Sequence, residues 1–314
     1  MNPSTHTPAH QDASLDVLAT ESVRPDLDDL DRRPMDELVR TLVEGQGAAQ
    51  SAAMAAVPAI AAAADAIAAR LMRGGRLFYV GAGTSGRLAI LDASECPPTF
   101  NTPAELVVAL IAGGPAAVQE AVEGAEDDAE AGAADLRARD LAPQDAVVGI
   151  TASGRTPYVI GALRCAREAG CHTVAIVNNP RSALASIADT AIELLTGPEV
   201  IAGSTRLCAG TAQKIALGTL SSAVMVRLGK TYGPYMVDVR ATNAKLRRRA
   251  LRMVQQITGA DTAASAEALA ATDGRVKPAV VMLLGRCDAD EAGRWLDAAG
   301  GRVREALAKN GVSV

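Results

Sequence analysis

Aromatic residues make up only 2% of this 314-residue chain: one Trp, four Tyr and two Phe. With a net charge of −5, the chain has neither the stacking platform nor the basic face that nucleic-acid binding uses. Histidine is almost as scarce. Of three, His6 and His10 lie in a polar N-terminal stretch, which leaves only His172 in the body. That argues against a His-based metal centre or a Ser-His-Asp triad. Five cysteines (Cys96, Cys165, Cys171, Cys208, Cys287) are scattered, odd in number and without a CxxC pair, as expected for a reducing, cytoplasmic compartment. Long apolar runs are missing too. The Ala-rich stretch from Ala52 to Ala69 is broken by Pro58 and Asp65 and is too weakly apolar for a membrane span. Residues 1–20 lack the basic start and apolar middle of a signal peptide and read as a disordered tail. No membrane partner is expected.

What is present suffices for a large core. The chain is 49% apolar and 21% charged, enough for more than one domain. Residues 21–75 read as N-terminal helices, with a helical pattern from Glu37 to Leu71 that Gly74-Gly75 ends. From 76 to 245, short apolar runs alternate with helical segments. RLFYV (76–80), LVVALI (106–111), DAVVGIT (145–151), HTVAIV (172–177) and TAIELL (190–195) are the expected strands. Helices are expected to about 95, over roughly 115–139, over 157–169 and from about Thr205 to Arg227. This alternation predicts an α/β fold: a doubly wound parallel sheet flanked by helices. Residues 246–314 read as a small C-terminal all-helical domain, a packing or dimer-contact module in preference to a catalytic one.

Two strand-to-helix turns share a sequence. GAGTSGR (81–87) and TASGRT (151–156) both contain Ser-Gly-Arg. Such turns meet at the carboxyl ends of parallel strands, where ligands bind. Helix N-termini aim free N–H groups outward, glycine admits an anion to the backbone, and hydroxyls add donors. That chemistry suits a phosphate. The first turn also fits GxGxxG through Gly81, Gly83 and Gly86, but dinucleotide binding needs an acid after the second strand. Leu110-Ile111-Ala112-Gly113-Gly114 supplies none.

Two carboxylates draw notice. Glu95 falls at the expected end of an apolar helix, in LDASECPPTF. The helix dipole and the apolar Leu88, Ile90 and Leu91 would keep it protonated, as a general acid requires. Pro97-Pro98 would stop the helix and aim the side chain. An exposed glutamate at a frayed helix end is the equal alternative. Cys96 reads as core rather than nucleophile, with no His or Lys near it in sequence. In AVQEAVEGAEDDAEAGAADL (117–136), read as one helix, Glu126 flanks an apolar stripe of Val118, Val122, Ala125, Ala129 and Leu136. A solvated acidic face is the alternative for the run as a whole.

The motifs GAGTSGRLAILDASECPPTF, AVEGAEDDAEAG, VVGITASGRTPYVIGAL, GSTRLCAGTAQK and VDVRATNAKL together resemble the N-acetylmuramic acid 6-phosphate etherase family. That family is built on a sugar isomerase (SIS) domain and is related to the glucokinase regulatory protein. The resemblance runs from about Thr20 to the C-terminus. It implies cleavage of the lactyl ether of a sugar phosphate by elimination and then hydration, without metal or redox cofactor, in a homodimer. It assigns Glu95 as the acid that protonates departing lactate and Glu126 as the base at carbon 2. It places the 6-phosphate in the two Ser-Gly-Arg turns, at Gly83, Thr84, Ser85, Ser153, Gly154 and Thr156. Arg87 and Arg155 either face the phosphate or pair with surface acids. Ser204 and Thr205 either touch the sugar or cap the following helix. The chain departs from the family at Cys208, where lysine is usual, and at Pro234-Tyr235, where Asn-Leu is usual. A non-catalytic sugar-phosphate sensor and an aldose–ketose phosphate isomerase are the alternative functions.

Overall fold

The computed structural model describes residues 18–239 and 244–312. His6, His10, most of the expected tail and part of VDVRATNAKL lie outside them. Leu18, Ala19 and Thr20, expected in the tail, belong to the fold. Leu18 and Thr20 are buried, and the Asn179 side-chain amide donates to the Thr20 hydroxyl at 2.9 Å.

The apolar runs form five strands: β1 (Leu77–Gly81), β2 (Val107–Ile111), β3 (Ala146–Thr151), β4 (His172–Val177) and β5 (Thr190–Glu193). All pairings are parallel, in the order β2-β1-β3-β4-β5. Helices cover both faces, so the strands read as continuous apolar runs rather than as alternation. On one face, Leu77, Tyr79, Val148, Ile150 and Ile176 pack against α2 (Gly47–Ala55), α3 (Val57–Leu71), α4 (Gly83–Phe100) and α8 (Cys208–Arg227). On the other, Phe78, Val80, Val147, Ala175 and Val177 meet α5 (Ala129–Arg137), α6 (Pro157–Glu168) and α7 (Ala183–Ile187). Among the described residues, no single helix is long and apolar enough to cross a membrane.

This strand order places β1 beside β3 while the chain leaves them for opposite faces. α4 follows β1 into one layer and α6 follows β3 into the other. The crevice at such a switch point, beyond the carboxyl ends of the strands, is where open α/β sheets bind ligands. Both Ser-Gly-Arg turns lie at it. The close seating of α4 depends on glycine. A Cβ on Gly86 would stand 2.5 Å from the Ile111 side chain, and one on Gly81 would stand 2.7 Å from the Gly86 nitrogen.

The remaining helices, α9 (Ala244–Thr258), α10 (Thr262–Ala271), α11 (Val276–Gly285), α12 (Ala289–Ala298) and α13 (Val303–Lys309), have their own core around Val254, Val280, Val281 and Leu307. Asp238 ties this core to the end of α8, pairing with Lys230 at 2.8 Å and Lys277 at 3.0 Å.

The helical pattern from Glu37 to Leu71 is three helices, α1 (Met35–Glu44), α2 and α3. Three sequence expectations are corrected. Pro97-Pro98 do not end α4, which runs to Phe100 and closes on Asn101 in the left-handed region (φ 50°). The sheet on one side and α8 on the other hold this helix, and that packing outweighs two lost donors. Residues 115–139 are not one helix. They form short 3-10 turns at Gly114–Val118 and Ala125–Asp127, then α5. Gly124, at φ +71°, and Asp128, which caps α5 by accepting from the Ala131 N–H, set that break. Finally, α8 starts at Cys208 rather than near Thr205.

Candidate functional site

At the switch point, two helix N-termini face the crevice without a side-chain cap: α4 after Ala82 and α6 after Thr156. Their first-turn N–H groups and dipoles are available to an anion. Gly83 is exposed, at φ +51°, with open space where a Cβ would stand. Gly154, at φ +68°, has no such room, because a Cβ would lie 2.2 Å from Ser182.

The hydroxyls divide into two kinds. Thr151, only 5% exposed, lies 2.7 Å from the Thr156 hydroxyl and 3.3 Å from that of Ser153. The Ser153 oxygen also accepts from the Arg155 N–H at 3.1 Å. Ser153 and Thr156 therefore stand half-exposed on a buried threonine. Ser85 differs. It is 7% exposed, and its hydroxyl donates to the Gln213 carbonyl at 2.8 Å. Gln213 in turn donates to Asn178 at 2.9 Å, and Asn178 donates to the Leu194 carbonyl at 3.0 Å. This buried chain pins the first turn to β4 and α8, so the Ser85 proton is already committed within the protein. Thr84 is half-buried against Gly210.

The third helix opening here, α8, is capped. Glu199, 2% exposed, accepts the Cys208 and Ala209 N–H groups at 2.9 and 2.8 Å. Ser204 and Thr205, read as possible caps, do not cap it by side chain. At Cys208, where the family usually has lysine, the chain presents a buried thiol and a capped N–H. Glu199 was not singled out in the sequence, because its nine-residue reach to α8 has no spacing signature.

Arg87 takes neither expected role. Its guanidinium donates to the carbonyls of Val118 and Glu120 at 3.0 and 3.1 Å, clasping the loop that leads to Glu126. Glu126 is exposed in the 3-10 turn before α5. The first turns of α5 and α6 are in backbone contact at Gly132 and Gly161. Glu126 thus stands on the same edge of the sheet as the second Ser-Gly-Arg turn.

Glu95 is elsewhere. It is exposed and lines a groove of about 780 Å³ between α4 and α8, with Asp92, Cys96, Lys214, Gly218 and Ser221. The desolvated carboxyl expected at Glu95 is instead Asp92, one turn earlier and 8% exposed. Burial raises its pKa, against the opposing hydrogen bonds from Tyr79 and Ser221 and the charge of Lys214. Tyr79 donates to Asp92 at 3.0 Å and Ser221 at 3.1 Å. Burial pushes the Cys96 thiol up to about 12, which fits a core residue rather than a nucleophile.

Switch-point crevice, uncapped helices and hydroxyl-bearing turns are the parts of an SIS domain. The chain matches the model of the glucokinase regulatory protein N-terminal SIS domain over residues 59–167 and that of the SIS domain over 127–221. It is 54% identical over 297 residues to an N-acetylmuramic acid 6-phosphate etherase of Streptomyces avermitilis, covering 94% of this chain and 95% of that protein. Its identity to the enzyme of that name from Deinococcus radiodurans is 54% over 292 residues, covering 93% of this chain and 96% of the other. A phosphoheptose isomerase structure from Francisella tularensis superposes with a TM-score of 0.48 at 21% identity, over 61% of this chain and 98% of that one. The chain belongs to the N-acetylmuramic acid 6-phosphate etherase family.

Proposed function

We propose that this chain is a carbon–oxygen lyase that cleaves the lactyl ether of N-acetylmuramic acid 6-phosphate, giving N-acetylglucosamine 6-phosphate and D-lactate. The 54% identity to the Streptomyces avermitilis enzyme over 94% of the chain carries this reading. The switch-point crevice supports it, because two uncapped helix N-termini and half-exposed Ser153 and Thr156 suit a phosphoryl group. The 6-phosphate binds there, against the N–H groups of the first turn beyond Gly83 and the hydroxyls of Thr84, Ser153 and Thr156. Gly154 lets the second turn bend, and Ser85 holds the first turn in place. Ser204 lies on the sugar side.

In the open-chain sugar, the carbon 1 aldehyde acidifies the hydrogen on carbon 2. Glu126 takes that proton. The electron pair forms the carbon 2–carbon 3 double bond, and the carbon 3–oxygen bond breaks. Glu95 delivers a proton to the departing ether oxygen, so that lactate leaves with a hydroxyl. Water then adds across the double bond, its oxygen to carbon 3 and a proton to carbon 2. The opposed tasks require one carboxyl protonated and one ionised. The enzyme works as a cytoplasmic homodimer in the recycling of cell-wall amino sugars. Its five free thiols suit a reducing compartment.

Purified protein with N-acetylmuramic acid 6-phosphate should release one D-lactate per sugar. Substrate treated first with alkaline phosphatase should release almost none. Binding of the intact substrate without lactate release would favour a sensor. Conversion of glucosamine 6-phosphate to a ketose phosphate would favour an isomerase.

A further inference from the structure

The carbonyls on either side of Ser153 are both anchored. The Ala152 oxygen accepts the Asn178 N–H at 3.0 Å and the Asn179 side-chain amide at 3.0 Å. The Gly154 oxygen accepts the Leu184 N–H at 2.9 Å. Two of these three donors are backbone, and the third is a side chain. Asn178 and Asn179 follow directly on β4 and divide the two Ser-Gly-Arg turns between them. The Asn178 side chain reaches the first turn through Gln213 and Ser85. The Asn179 side chain holds the second.

Asn179 has a further partner. Its amide also donates to the Thr20 hydroxyl at 2.9 Å, across 159 positions of sequence. Both residues are buried, Asn179 at 2% exposure and Thr20 at 0%. The amide orientation is fixed, since a flip would set its oxygen against the Ala152 carbonyl, acceptor to acceptor. In this orientation Asn179 Oδ1 is buried without a partner among the described residues. Such atoms are rare and destabilising, so the two donations persist against a penalty that an apolar side chain of equal size would not carry. Beside Thr20, Glu21 Oε2 lies 2.8 Å from where a Cβ of Gly203 would stand, one residue before Ser204. Residues 18–21 therefore abut two loops of the crevice, the second turn through Asn179 and the Ser204 loop through Glu21.

Resting on the reading given under the proposed function, we infer that residues 18–21 are part of the phosphate cradle and that Asn179 is the positioning residue that joins the two. The Asn179 amide, braced on Thr20, fixes the Ala152 carbonyl and with it the peptide that carries Ser153. Asn179 is buried behind the turn and acts through Ser153, so its loss weakens phosphate binding and spares the chemical step.

The test separates anchoring from stability. Asn179→Leu keeps the side-chain size and removes both donors together with the unpaired oxygen. By titration calorimetry, Kd for N-acetylglucosamine 6-phosphate should rise about tenfold, the scale of a small misplacement in a binding site. KM for the phosphorylated ether should rise with it, while kcat stays within about twofold of wild type. Thr20→Val should raise Kd about threefold, and Thr20→Ser, which keeps the hydroxyl, should restore it. Thr173→Val is the control. Thr173 is buried at the other end of β4 and exchanges hydrogen bonds with Asp189, so this change should lower Tm by several degrees and leave Kd unaltered. An unchanged Kd in Asn179→Leu or Thr20→Val, or an equal rise in Thr173→Val, would overturn the inference. Wild-type protein that bound the sugar phosphate but released no lactate would overturn the proposed reaction and leave the role of Asn179 standing.

Discussion

Ser85 and Gln213 are joined by a buried hydrogen bond of 2.8 Å that spans 128 positions of sequence. It locks the first Ser-Gly-Arg turn to α8 and gives Ser85 a buried duty between elements, whereas the half-exposed Ser153 bonds to Thr151 and Arg155 within its own turn. Ser85→Ala leaves the Gln213 carbonyl buried without its donor, a loss of about 1–3 kcal/mol and several degrees in Tm. Ser153→Ala should leave Tm within about 1 °C, since surface changes of this kind cost little, yet raise KM for the phosphorylated sugar roughly tenfold. Thermal melts and steady-state kinetics on both variants check the division. Equal Tm losses would contradict it.

Arg87 should govern the base rather than the phosphate. Its bonds to the Val118 and Glu120 carbonyls fix the loop before Glu126. Hydrogen bonds from a charged donor are worth about 1.5–3 kcal/mol each, less where half-exposed. Arg87→Met is expected to lower kcat about tenfold while inorganic phosphate inhibits as in the wild type. A matching loss of phosphate inhibition would place Arg87 at the phosphate instead.

Asp92 gives a pH signature. Burial raises its carboxyl above the ordinary value, which is about 3.9. Below that value it is neutral in both the folded and the unfolded chain, and the fold carries no penalty. As pH rises, the unfolded chain ionises first. Stability therefore falls until the folded carboxyl has ionised too, and then levels. Asp92→Asn removes this fall. The wild-type Tm minus that of Asp92→Asn should decrease as pH rises above about 4 and then level off, as differential scanning calorimetry would show. A constant difference would contradict the raised value.

The sheet and both turns were legible in the sequence because parallel strands covered on two faces leave unbroken apolar runs, and because glycine and hydroxyl residues punctuate them. Helix bounds were less legible wherever tertiary contacts decide. Pro97 and Pro98 look like a stop, yet Cys96 is buried just before them and Asn101 closes the helix after them. Treating 117–136 as one wheel overlooked Gly124 and Asp128, residue types that break a helix and begin another. Glu199 and Gln213 act across long loops or between layers, so local pattern does not reveal them. Glu95 and Glu126 stood out as chemistry-bearing residues. Their separation came into view only when α4 and α5 were assigned to opposite layers.

Hydrogen exchange at carbon 2 tests the two-carboxylate reaction most directly. In deuterium oxide, wild-type protein should give N-acetylglucosamine 6-phosphate fully deuterated at carbon 2 by NMR. Glu95→Gln should release no lactate yet still exchange the carbon 2 hydrogen of the substrate, whereas Glu126→Gln should do neither. Exchange by Glu126→Gln at the wild-type rate would contradict the assignment.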